Sequence, residues 1–113
     1  INNHYIMLSK IILKSGLRLT FGAHPTFQNL IFEIGKKFRT NDFQNLIQMF
    51  ISKYFEGKYD IEELKRNATV LETENVDKNL LKSLINMREN MINRKSVKAL
   101  ICLGGVIREG EYK

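Results

Sequence analysis

LRLTFGAHPTFQNLIFEIGKKF (residues 17–38) changes its hydrophobic period halfway along. Leu17, Leu19 and Phe21 alternate with other residues, the period of two that puts side chains on one face of a strand. Past Pro25, the apolar residues Phe27, Leu30, Ile31, Ile34 and Phe38 recur at spacings of three and four, the period of a helix reaching about Arg39. Between them lies FGAHPT, with the only proline of the chain. A strand that passes through a glycine turn into a helix is half of a β-α-β unit.

Working outward, the same alternation continues. Residues 2–15 read as a helix with Tyr5, Leu8, Ile11 and Ile12 on its apolar side and Gly16 as its stop. NLIQMFIS (45–52) reads as a largely buried strand. KYFEGKYDIEELKRN (53–67) reads as a loop around Gly57 followed by a helical turn from Asp60 to Lys65. ATVLET (68–73) reads as a short strand near a sheet edge. Residues 75–95 form the clearest helix, with Leu80, Leu81, Leu84, Met87, Met91 and Ile92 as its core side, Asn75 or Asp77 as its cap, and Arg94 and Lys95 at its negative end. VKALICL (97–103) is an apolar run that ends in Gly104 and Gly105. Strands alternating with helices predict an α/β sandwich of three layers around a mainly parallel sheet, because a parallel connection needs a crossover. The chain opens inside a helix and closes just after a Gly-Gly turn. The expectation is one domain over 1–113, part of a larger one, without its first strand and last helix.

The 113 residues and 43% apolar content suit one folded domain. The single cysteine, Cys102, cannot form an internal disulfide and sits in an apolar run, where a small buried hydrophobe is the plain reading. One unpaired thiol points to a reducing, cytoplasmic setting. No run reaches the length of a membrane span, and none reads as a signal peptide. The net charge of +6 favours anionic partners: nucleic acid, nucleotide phosphates or acidic lipid. The basic residues are scattered, however, so a solvated basic surface is the plain alternative. His4 and His24 are far apart and no paired Cys/His spacing occurs, so no metal is expected.

The chemistry points to two turns. In open α/β sheets ligands sit beyond the carboxyl ends of the strands. At the first turn Gly22 allows positive φ or close approach, Pro25 suits a first helical position, and the following helix start favours an anion. Thr26 adds a hydroxyl, and His24 can cap, donate to a phosphate, or act as acid or base. At the second turn Gly104 and Gly105 follow the last strand, with Arg108 close by to complement phosphate, and Lys53 as a further cation. Each alone could be a plain turn. Two of them at the ends of parallel strands make a stronger pattern.

SGLRLTFGAHPTFQNLIFEIG, MFISKYFEG and ICLGGVIREGEY resemble the SLOG superfamily, a Rossmann-like group that includes the Lonely-Guy phosphoribohydrolases, the DprA/Smf single-strand DNA binders and the nucleotide-sensing domains of melastatin-type channels. The nearest resemblance is to the branch associated with sirtuin and TIR domains, in which a strand ending in FGGHP enters the helix. The resemblance implies a nucleotide-derived ligand, with Gly22, Ala23, His24, Pro25 and Thr26 on one wall and Gly104, Gly105 and Arg108 on the other, and no cofactor. In Lonely-Guy enzymes the second turn reads PGGxGTxxE, and its glutamate is catalytic. Here Gly104, Gly105 and Glu111 match, while Leu103, Ile107 and Arg108 replace proline, glycine and threonine.

The resemblance therefore implies first a sensor of an ADP-ribose-like or cyclic nucleotide that regulates a fused or associated effector, as in bacterial anti-phage defence, with homo-oligomers within reach. The second reading is a hydrolase of N-glycosidic bonds in nucleoside monophosphates using Glu111. The third is single-stranded DNA binding, favoured by charge and disfavoured by the lack of tryptophan and of an aromatic-basic stripe.

Overall fold

The computed structural model describes residues 2–23 and 27–94. Three strands, β1 (Leu19–Gly22), β2 (Ile47–Ser52) and β3 (Thr69–Thr73), form a parallel sheet in the order β1-β2-β3. Leu19 pairs with Ile47 and Gly22 with Phe50; Gln48 pairs with Thr69 and Ser52 with Thr73. Helices α1 (Asn2–Lys14), α2 (Gln28–Phe38), α3 (Phe43–Leu46), α4 (Ile61–Asn67) and α5 (Leu80–Ile92), with a 3-10 turn at Lys53–Phe55, complete the described chain. This is the predicted α/β architecture, a small Rossmann-like fold. The strand read at 97–103, with Cys102 in it, lies outside the described residues.

All six residues of β2 are buried, so the strand divides its side chains between two helical layers. Ile47, Met49 and Ile51 join Leu13 of α1, Ile31 and Phe32 of α2, Phe43 of α3 and Leu64 of α4 in one apolar cluster. The alternate residues, Gln48, Phe50 and Ser52, face the other way, toward α5. That face carries buried polar groups that need partners. Thr20 donates to Gln48 Oε1 at 3.1 Å across the β1–β2 pair. Helices α1, α2 and α4 therefore share one face, and α5 covers the other.

Local chemistry explains where the predicted boundaries move. After α1, Gly16 adopts φ +75°, Leu17 N–H donates to Ile12 O at 3.1 Å and Gly16 N–H to Leu13 O at 3.0 Å. These two bonds make a Schellman stop. They also commit the Leu17 amide, so β1 starts at Leu19 rather than Leu17. Helix α2 begins at Gln28 with Phe27 as its cap, so the first helical position is not Pro25. Asn45 and Leu46 donate to Asp42 O and belong to α3, which shortens the predicted strand to Ile47–Ser52. The helical turn read from Asp60 to Lys65 is α4, Ile61–Asn67, and Asp60 stands before it as its cap, accepting from Glu63 N–H at 3.2 Å.

Two predicted helix faces rotate. On α1 the buried residues are Leu13 (0% exposed) and Ser9, whereas Ile11 is 55% exposed. On α5 the buried residues are Ser83 and Met87, while Leu80, Leu81 and Ile92 face outward. The sheet face beneath α5 presents Gly22, Thr20 and Ser52, and it accepts small or narrow side chains better than a leucine ridge. Asn79, rather than Asn75 or Asp77, caps α5 by accepting from Lys82 N–H at 2.9 Å. Asp77 and Lys78 both take φ near +54° or +53°, an added turn that postpones the helix. Arg94 leaves the helix end and lies 5.6 Å over the Phe50 ring.

Arg39, at the end of α2, forks onto Asp42: Nε to Oδ1 at 3.0 Å and Nη2 to Oδ2 at 2.6 Å. The hydrogen bonds from Arg39 hold the Asp42 carboxyl below its ordinary range. Because the folded value is lowered, the pair's stabilisation is complete above about pH 4, the ordinary carboxylate value, and fades as pH falls through the folded one. Asp42→Asn should make acid unfolding less steep below about pH 4, as followed by circular dichroism; an unchanged acid limb would leave the pair without a role in it. At the α2–β2 contact, a Cβ on Gly35 would stand 2.7 Å from Ile47 Cδ1 and 3.0 Å from Phe43 Cβ. Gly35→Ala should therefore lower stability by about 1–3 kcal/mol in urea unfolding despite alanine's better helix propensity.

Candidate functional site

Three parallel strands send their carboxyl ends to one edge, and the residues there are small or polar. β1 ends at Gly22, β2 at Ser52 and β3 at Thr73. Ala23 N–H donates to Phe50 O at 2.8 Å, extending the β1–β2 ladder one residue past the strand. Ser52 Oγ accepts from Tyr54 N–H at 3.1 Å and donates to Glu74 O at 3.4 Å, which ties together the exits of β2 and β3. Ser83 of α5 accepts from Val76 N–H at 2.9 Å and anchors the loop behind them. Two polar atoms near these exits are buried without a hydrogen-bond partner: Thr73 Oγ1 and Oε1 of Gln28, the first residue of α2. Such atoms are uncommon in folded proteins and mark where local satisfaction has been given up.

Gly22 does not take the positive φ that its turn allowed. It is a paired strand residue opposite Phe50, outside the left-handed region in which the structure places Gly16 and Gly57. A Cβ there would lie 2.9 Å from Met87 Cε and 3.7 Å from Met91 Sδ. The space above this glycine on the α5 side is taken by two methionines. Glycine leaves room here for helix–sheet packing, and flexible thioether chains fill the gap.

His24, Pro25, Thr26, Gly104, Gly105, Arg108 and Glu111 lie outside the described residues. Of the predicted site residues, Gly22 and Ala23 are described, and both stand at the carboxyl end of β1. Tyr5 stacks on Phe27 with ring centroids 4.2 Å apart, so the start of α1 flanks the entry to α2. Tyr5 was read from its spacing only as core.

A second feature of this edge was not foreseen. A cleft of about 290 Å³ opens beside the exits of β2 and β3, lined among others by Ser52, Lys53, Phe55, Tyr59, Lys65 and Glu72. Its size approaches the lower end for small-molecule sites. Phe55 meets Tyr59 edge to face at 6.3 Å. Lys53 pairs loosely with Glu74 at 3.9 Å and Lys65 with Glu62 at 3.7 Å, and all four chains reach solvent. Exposed pairs this long bind weakly, so either lysine can turn to a phosphate at little cost. The signal lies in KYFEGKYD, where lysines and rings alternate around Gly57; apart from Lys53, named as a further cation, its spacing reads as a loop. Among the described residues no group of three His, Cys, Asp or Glu is placed to hold a metal ion.

If Met87 sets the limit at position 22, the two sites must be coupled. Gly22→Val should cost about 1–3 kcal/mol in urea unfolding, and in a Met87→Ala background the added cost should shrink by at least about 0.5 kcal/mol. Equal costs in both backgrounds would show that the glycine answers to something else.

The family model described as the SLOG cluster3 family matches residues 3–111. No curated protein and no solved structure matches the chain.

Proposed function

The chain belongs to this SLOG family, and from that premise we propose that it binds a nucleotide-derived ligand, of the ADP-ribose or cyclic-nucleotide kind, across the carboxyl edge of the sheet. Family membership supports a nucleotide-related ligand in general. The observation that carries the placement is topological. From β1 to β2 to β3 the chain steps one way with α2 and α4 on a single face, and α5 then lies on the opposite face. A right-handed crossover from that face would carry a following parallel strand back past β1. The strand order would then reverse on the β1 side of the sheet, and ligands of open α/β sheets bind at such a reversal. Ala23, His24 and Thr26 supply one wall of that crevice, and Gly104, Gly105 and Arg108 the other.

In this reading Arg108 and the start of α2 face a phosphate, and His24 donates to a phosphate or ribose oxygen. Gly22 supports the wall from beneath through Met87 instead of touching the ligand. The role is sensing: the replaced proline, glycine and threonine around Gly104 and Gly105 weaken the case for hydrolysis, and the bound state passes to an effector of the sirtuin or TIR type.

Calorimetric titration of the chain with NAD, ADP-ribose and its cyclic isomers tests this. One of them should bind, and Arg108→Ala and His24→Ala should each weaken it by about tenfold or more, the usual worth of a charge-assisted hydrogen bond. Heat from none of the ligands would sink the proposal. Release of free base from a nucleoside monophosphate, abolished by Glu111→Gln, would move the chain to the hydrolases instead.

A further inference from the structure

The outer face of α1 is apolar where solvent should meet it. Met7 is 59% exposed, Ile11 55% and Leu17, just past the helix, 60%. Positions 7, 11 and 14 fall on one helical face, so Lys14 shares it with Met7 and Ile11, and Lys10 borders it. On the α2 side of this face, Lys10, Lys14 and Lys37 hold their ammonium groups 5.3, 5.0 and 5.4 Å from the centroid of the Phe38 ring. Together α1 and α2 carry Lys10, Lys14, Lys36 and Lys37 against a single acid, Glu33. Among the described residues no ion pair engages any of these lysines. Three like charges around one ring repel one another, and the benzene face and the negative ends of two helices offset that only in part.

We propose that this face, α1 with the end of α2, docks the protein on an anionic membrane surface. The chemistry selects that partner over others of negative charge. Lysines reach lipid headgroups while their methylene stems lie along apolar surface, and exposed Met and Ile side chains enter the boundary below. Nucleic acid would gain nothing from Met7, Ile11 and Leu17. The Phe38 ring, the aromatic face nearest to hand for stacking a base, is already covered by ammonium groups. A second copy of the chain would set this lysine group against its own image, which is repulsive. The contact is peripheral: among the described residues no helix is long and apolar enough to cross a membrane. It is also separate from the ligand crevice. Helix α2 leaves the carboxyl end of β1 and ends before the amino end of β2, so Phe38 and its lysines lie toward the amino edge of the sheet.

Co-sedimentation of the full chain with vesicles of phosphatidylcholine carrying about one-third phosphatidylserine tests the proposal. Binding should appear with these vesicles, be absent with phosphatidylcholine alone, and fall as salt is raised. Lys10→Glu with Lys14→Glu should lower it by about tenfold or more, as each lysine near such a surface is worth roughly fivefold. Met7→Ser with Ile11→Ser should also lower it, whereas Leu81→Ser with Ile85→Ser, on the exposed side of α5, should leave it intact. Circular dichroism of each variant confirms that it is folded. No sedimentation with the anionic vesicles, binding indifferent to Met7 and Ile11, or equal loss from the α5 variant would overturn the proposal. So would tighter binding to a single-stranded oligonucleotide than to the vesicles.

Discussion

A strand buried on both faces imposes its terms on everything around it. β2 has neighbours on either side and helices above and below, and all six of its residues are buried. Its odd residues are plain hydrophobes and can be satisfied by packing alone. Its even residues include Gln48 and Ser52, whose polar atoms cannot be left bare without a cost of a few kcal/mol each. Thr20 answers Gln48, and the exits of β2 and β3 are joined through Ser52. The same demand divides the helices: those that carry broad apolar faces collect on the odd side, and α5, which buries a serine and a methionine, covers the even side.

That asymmetry explains what could be read from the sequence. The order of the main strands and helices, the parallel sheet and the stop at Gly16 were legible because each rests on a local signal: a period or a glycine. The faces of α1 and α5 were not. Spacing shows that Leu80, Leu81, Leu84 and Met87 recur, but the width of the groove that receives them is set by residues far off in the chain, here Gly22 and Ser52. Leu17 looked like a strand residue until its amide was spent on closing α1.

The candidate site divides in the same way. Ala23 stands where the turn was expected, at the end of β1, and the carboxyl ends of all three described strands meet on one edge. The sequence marks Gly22 as a place where ligand or backbone could approach, and on the α5 side its neighbour is a side chain sixty-five positions later, Met87. The cleft around Phe55, Tyr59 and the lysines escaped notice because it forms only when the 3-10 turn and α4 are brought together beside two strand exits.

The Gly22–Met87 contact bears on how glycines in such folds are interpreted. A glycine at the end of a first strand is readily taken as the fingerprint of a bound phosphate. In this chain it also faces a helix on the back of the sheet, so its persistence through divergence would reflect the bulk of the residue at position 87 as well as any ligand. A lineage in which that methionine shrank would be free to lose the glycine and still keep the carboxyl edge of its sheet unchanged. A lineage that kept both could lose the ligand altogether without a trace at position 22.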